Sequence, residues 1–230
     1  MVSPSQIDKA LRRVVSPVLL DSGFTSVTAR KAWAWRKDCI WNLTIRSVGG
    51  EFSQTTGWPS GSVGVWMAVY YLFIPFRGHT PPKTDKHGRL VPDEGLGHFR
   101  SHLESSLDQQ HYMKLLDHPT GNPRRDLWWV GASEDEVLSV VSDIAWAVVE
   151  QGRPWFARLS DLHEAFRQLE SERDSLHKFY RAKYFAEHLS LDSKAEEYSE
   201  KMAAEARRIG FPEDGRWPAE DRKAPKPRSG

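Results

Sequence analysis

Cysteine is almost missing: Cys39 is the only one in 230 residues. One chain therefore closes no internal disulfide and builds no cysteine-based zinc site, which points to a reducing, cytoplasmic setting. Neither sign of charge is in excess, with 32 Lys and Arg against 31 Asp and Glu. The overall basic surplus of a dedicated nucleic-acid binder is thus lacking, and nucleic acid is not the expected partner. Long apolar runs are absent as well. The longest, residues 63–76, falls short of the roughly 20 residues that span a membrane, and its β-branched and aromatic content suits a buried strand. Residues 1–6 show no basic stretch leading into an apolar one, so neither export nor membrane attachment is expected. There is no Gly-x-Ser-x-Gly elbow. The glycines of residues 57–64 lie between strands and lack the Lys-Ser/Thr ending of a phosphate loop.

What is abundant is tryptophan on a period of two. Trp33 and Trp35 alternate with small neighbours in residues 31–36. Trp41, Leu43 and Ile45 then alternate with Asn42, Thr44 and Arg46. Together with the apolar run at 63–75, they read as three consecutive strands, the first two joined as a hairpin across Lys37-Asp38. Residues 51–62 are rich in Gly, Ser and Pro and read as a loop, and the polar, Pro-containing residues 77–96 read as an exposed, partly disordered excursion. Residues 98–103 alternate as a fourth strand, with helical spacing from Glu104 to Leu116. Residues 126–130 read as a short fifth strand.

Helical signals flank the sheet. Ser3-Pro4-Ser5-Gln6 is a capping box with proline at the first helical position, and Ser133 to Glu136 repeats the device with acidic first-turn residues. Pro17 should kink or split the first helix, and Gly23 should stop it. The second ends at Gly152, another runs from Pro154 to Leu169, and two more fill the chain to Gly210. The expected fold class is α+β: an antiparallel sheet of four to five strands packed against helices 4–22 and 134–151, with a C-terminal helical extension. The expected divisions are an α+β domain over 1–170, a helical hairpin over 171–210 and a disordered tail over 211–230, whose charged, Pro-rich composition cannot repay ordering entropy.

The order of these elements resembles the uncharacterised bacterial domain family numbered 4304. Leu20-Asp21-Ser22-Gly23-Phe24, Trp33-Ala34-Trp35-Arg36, Asn42-Leu43-Thr44-Ile45, the Val-Gly-Val-Trp of 63–66, His98-Phe99-Arg100 and Trp128-Trp129 carry the likeness, over roughly residues 5–170. It implies an α+β domain and supplies no catalytic residues.

Three sets of residues could bear chemistry. His98 and His102 lie four apart, but Arg100 between them would set a fixed charge beside any metal, and no third ligand is evident; no metal or other cofactor is expected. Cys39 sits in register with Trp41 and Leu43 and reads as a core thiol. Arg36 and Arg46 interleave with Trp33, Trp35 and Trp41, a pattern suited to stacking single-stranded nucleic acid. The weightier reading sends the tryptophans toward the helices as core and leaves His98, Arg100 and His102 facing solvent. Mixed charges over 172–210 read as solvated helix faces or a docking arm. The functional expectation is a non-enzymatic protein-interaction module with a protein partner, in a defence or toxin-immunity setting. The alternative is an enzyme or nucleic-acid-processing factor using a polar sheet face around His98, Arg100 and His102.

Overall fold

The computed structural model describes residues 3–49, 62–77, 81–107, 125–130 and 133–211. The chain is α+β, and it divides into two compact units: residues 1–72 with 82–161, and residues 73–81 with 162–230.

The first unit opens with α1 (Pro4–Asp21), whose Ser3–Gln6 capping box forms as the sequence requires. Pro17 does not split it. That residue lies exposed in the last turns, where the carbonyl it leaves unpaired can meet water. Gly23 adopts φ +96°, and the Gly23 and Phe24 N–H groups close back on Leu20 and Leu19. This αL stop sends Phe24 into the core.

Among the described residues seven strands follow: β1 (Ser26–Val27), β2 (Lys31–Trp35), β3 (Cys39–Ser47), β4 (Val63–Tyr71), β5 (Lys83–Thr84), β6 (Leu90–Val91) and β7 (Phe99–His102). Five form one antiparallel sheet in the order β1-β2-β3-β4-β7, and β5 and β6 pair as a small hairpin. β1 was not expected. At two residues it is too short to show an alternation, and it is added beside β2 by the chain leaving α1. The strand expected at 126–130 reduces to one bridge, Trp128 opposite Val63. Of the helix expected after Glu104, residues 108–116 lie outside the described residues, as do residues 212–230 of the tail.

Helix α2 (Glu134–Ala147) also starts on its capping box, Ser133 with Glu136. It does not end at Gly152. A π-helical turn, Val148–Gly152, carries it into α3 (Arg153–Ser160), with Pro154 in the first turn of α3. The wider turn brings the Gln151 amide against the Glu104 backbone, donating to its carbonyl and accepting its N–H, both at 2.8 Å.

The sheet's helix-facing side is apolar. Ala32, Leu43 and Met67 align across three strands, and Ala34, Trp41, Val69 and Phe99 across four; all are buried. Trp41 stacks on Phe156 of α3, with centroids 5.0 Å apart, and its indole donates to Ser160 at 2.8 Å. One polar group is sunk in this region. The Asp143 carboxylate on α2 accepts the Ser105 hydroxyl at 2.9 Å, the Ser106 N–H at 3.0 Å, the Trp128 indole at 2.6 Å and the Ser106 hydroxyl. Four donors replace water around a charge that burial alone would disfavour.

The second unit is helical: α4 (Leu162–Ser171), α5 (Leu176–His188) and α6 (Asp192–Arg208). Phe73, Phe166, Phe185 and Tyr198 form its ring cluster. The buried Lys178 ammonium closes the end of α4, donating to the Glu170 and Glu172 carbonyls at 2.8 and 2.6 Å and to Asp174 at 2.9 Å. The break between α3 and α4 at Asp161 replaces the single helix expected over 154–169.

Asp143→Ala strands the buried Trp128 indole and the serine groups at once. It is expected to cost about 2–4 kcal/mol, from roughly 1–3 kcal/mol for each buried neutral donor left unpaired. Urea unfolding of the variant against the parent measures it, and a loss under about 1 kcal/mol would remove Asp143 from this role.

Candidate functional site

The other side of the sheet is polar and aromatic, and it gathers most of the residues singled out from the sequence. Directly opposite residues in an antiparallel sheet share a face. The register therefore sets Lys31, Thr44, Trp66 and His102 in one row, and Trp33, Asn42, Ala68 and Arg100 in the next. Trp35, Ile40 and Tyr70 make the third, and Arg46 stands opposite Gly64 beyond the first.

This corrects the expectation for Trp33 and Trp35. Ala32 and Ala34 face the helices, fully buried, while the two tryptophans face outward and are only partly covered. The alternation was read in the right phase, but the facing side was not legible from it. What covers them is the segment 82–97, which is held against the sheet and is not the exposed excursion expected there. The Trp33 indole donates to the Pro92 carbonyl at 3.2 Å and the Trp35 indole to the Leu90 carbonyl at 2.8 Å. Arg89 lies over the Trp35 ring, 3.9 Å from its centroid. Lys31 pairs with Asp93 at 2.6 Å, and Arg46 pairs with Glu94. Gly97 lets the strap touch down, since a methyl group there would sit 2.5 Å from the Ala68 side chain. Beneath it, Asn42 and Thr44 are each 1% exposed, the Thr44 hydroxyl donating to the Asn42 side-chain Oδ1 at 3.1 Å. The Asn42 amide nitrogen and one Glu94 oxygen are buried with no partner among the described residues.

Outside the strap, one corner stays open. Trp66 lies along β4 in the space Gly64 leaves, where a methyl group would meet its ring at 2.5 Å. Arg46, Arg100 and His102 surround it, all exposed. The His102 imidazole is 4.0 Å from the Glu104 carboxylate. Arg100 makes no ion pair among the described residues.

The five candidate positions thus separate. Arg46, Arg100 and His102 share the open corner. His98 lies on the same side but is tied into the backbone: its Nδ1 accepts the Tyr71 N–H at 2.8 Å, which requires that nitrogen to carry no proton, and its ring stacks on Tyr70. Arg36 is elsewhere. It donates to the Gly23 carbonyl at 3.0 Å and stacks on Trp41 from the helix side, pinning the end of α1 to the sheet. Among the described residues no group of three or more His, Cys, Asp and Glu is placed to hold a metal, and no helix is long and apolar enough to cross a membrane.

Cys39 is buried opposite Tyr71, and burial pushes its thiol up to about 11, with the Asp38 carboxylate adding to the effect. A thiolate nucleophile is excluded there at neutral pH.

Sequence reading missed a second surface. On α2 and the π turn that continues it, Leu138, Trp146 and Val149 are 44%, 47% and 39% exposed. They fall on one stripe of the helix, eight and three residues apart. The sequence hides this stripe, because Trp146 and Val149 look like ordinary core residues in an apolar run. Comparison with protein-family models, curated proteins and solved structures found no match.

Two outcomes test this layout. Trp41→Ala should cost about 3–5 kcal/mol by chemical denaturation, whereas Trp35→Ala, half-covered by a polar strap, should cost less than half of that. Raised above its ordinary 9.0 to about 11, the Cys39 thiol stabilises the fold fully below about pH 9, and that contribution is lost as pH climbs toward 11. Cys39→Ala should flatten the alkaline decline in melting temperature, and an unchanged decline would contradict the buried thiol.

Proposed function

We propose that this chain is a non-enzymatic protein-interaction module that docks its partner through the exposed stripe of α2. The observation that carries the reading is Trp146. A tryptophan nearly half exposed in the last turn of α2, with Leu138 two turns before it and Val149 in the π turn just after it, leaves apolar area in water that docking would bury. Tryptophan is also the side chain most often found at the energetic centre of an interface. The helix beneath it is firmly seated, with Val137, Val140, Val141 and Ile144 buried on the other side, so the stripe is presented on a rigid element. An aromatic anchor on a helix face is a mode of recognition that needs no catalytic group. The resemblance to the family numbered 4304, which supplies no catalytic residues, sits comfortably with it. Toxin immunity is the setting in which a first partner would be sought.

The alternative places an enzyme or nucleic-acid-processing factor at the open sheet corner. Its support is Trp66 among Arg46, Arg100 and His102. It ranks second because Lys31, Arg46 and Arg89 on that side are already engaged by Asp93, Glu94 and Asp85, leaving Arg100 to meet an anion.

The test is a pair of surface variants. Trp146→Ser should leave the melting temperature within a few degrees of the parent. It should also abolish co-purification of the partner held by the parent chain in its native host. Trp66→Ala should retain it. If Trp146→Ser keeps the partner while Trp66→Ala loses it, the docking surface is the sheet corner instead.

A further inference from the structure

We propose that residues 82–97 are a lid over the outer side of the sheet, opening without unfolding the core. Two unlike covers lie on one sheet. On the helix side, the contact is apolar and close-packed: Leu11, Val15, Leu19, Ile144 and Leu159 are each no more than 2% exposed. On the other side the strap carries almost no regular structure of its own, two strands of two residues and one 3-10 turn at Glu94–Leu96.

Pro92 and Gly97 of the strap are buried against the sheet, and its directed attachments are polar and few. They are two indole N–H bonds to carbonyls, the Lys31–Asp93 and Arg46–Glu94 pairs, and the Arg89 stack on Trp35. The Lys31 and Asp93 side chains are 38% and 49% exposed, in the range where an ion pair contributes little. Closing the strap also buries the Asn42 amide nitrogen and a Glu94 oxygen with no partner among the described residues, a cost that opening would relieve by returning both to water. The closed state is therefore a balance of small terms, unlike the helix side, and the strap belongs with the least stable units of the fold.

Opening would change what the sheet presents. Trp33 and Trp35 would come out with their indole N–H groups free, alongside Asn42 and Thr44. Arg46 would be released from Glu94 next to Trp66 and Arg100. The small open corner would become a face with three indoles, an amide and two guanidinium groups. This inference stands apart from docking at Trp146 and survives its failure.

Four indole N–H groups report on the two covers at once. Trp33 and Trp35 are bonded to the strap, whereas on the helix side the buried Trp41 is bonded to Ser160 at the exposed end of α3 and the buried Trp128 to the buried Asp143. Hydrogen exchange of all four, followed by NMR in the full chain, should show Trp33 and Trp35 partly protected. They should exchange together, about 100-fold or more faster than Trp41 and Trp128. Asp93→Asn should speed the first pair about two- to fivefold and leave the second unchanged, the range set by one exposed ion pair. Gly97→Ala, which crowds Ala68, should speed the first pair further. Exchange of all four at one common rate would overturn the lid, as would no protection at Trp33 and Trp35. An Asp93→Asn variant that speeds all four equally would overturn it too, since the strap would then open only with the core.

Discussion

Ala34 stands opposite Trp41, and that single pairing decides which side of the sheet every candidate side chain occupies. Side chains alternate with a period of two, so a slip of one residue would carry Trp33 and Trp35 under the helices and expel the alanines. The pairing is enforced by volume. Trp41 fills the helix side against Phe24 and Phe156, with centroids at 6.0 and 5.0 Å, leaving room only for a methyl group beside it on β2. With Trp41 inside, the outward tryptophans need polar partners for their N–H groups, and the carbonyls of Leu90 and Pro92 supply them. The strap is thus a consequence of the register, not an independent decoration.

The same register explains why β3 has seven consecutive buried residues, Cys39 through Ile45, although its sequence alternates. Alternation of this kind normally marks a strand with one wet face. Here both faces are covered, and the even positions are covered by backbone and charged groups. Asn42 and Thr44 are polar because their cover is polar. Asp143 provides the corresponding arrangement on the helix side, where one carboxylate collects the chain on either side of residues 108–124 and ties it to α2. Where a polar group is buried in this fold, a nearby segment without regular structure is being held.

Much of the architecture was legible because it rests on local chemistry. Both capping boxes, the αL stop at Gly23 and the strand pairs around Trp33, Trp41 and Val65 follow from neighbours in sequence. The elements that escaped depend on distant partners. The two-residue β1 exists only because β2 lies beside it. The π turn at 148–152 is matched to Glu104, 47 residues away from Gln151. At the candidate sites, the period revealed that His98, Arg100 and His102 share a side, but not that Tyr71 engages His98 while the other two stay open. Arg36 and Arg46 looked equivalent beside tryptophans, yet one grips the Gly23 carbonyl and the other Glu94. Periodicity gives the phase of a strand; only the covering elements say which phase is the inside.

The unequal covers make the two sides of the sheet answer to different conditions. Apolar contact on the helix side is insensitive to moderate salt and is lost only when large areas reach water together. The strap is held partly by charges near the surface, which added salt screens over roughly 8–10 Å at physiological ionic strength. Raising ionic strength therefore loosens the Lys31–Asp93 pair while leaving Trp41, Phe156 and Leu159 in place. A polar cover over an aromatic face can be released by a modest change in its surroundings, or by a ligand that offers a partner to the Asn42 amide nitrogen, which has none among the described residues. An apolar cover of the same area could not be released without unfolding the domain.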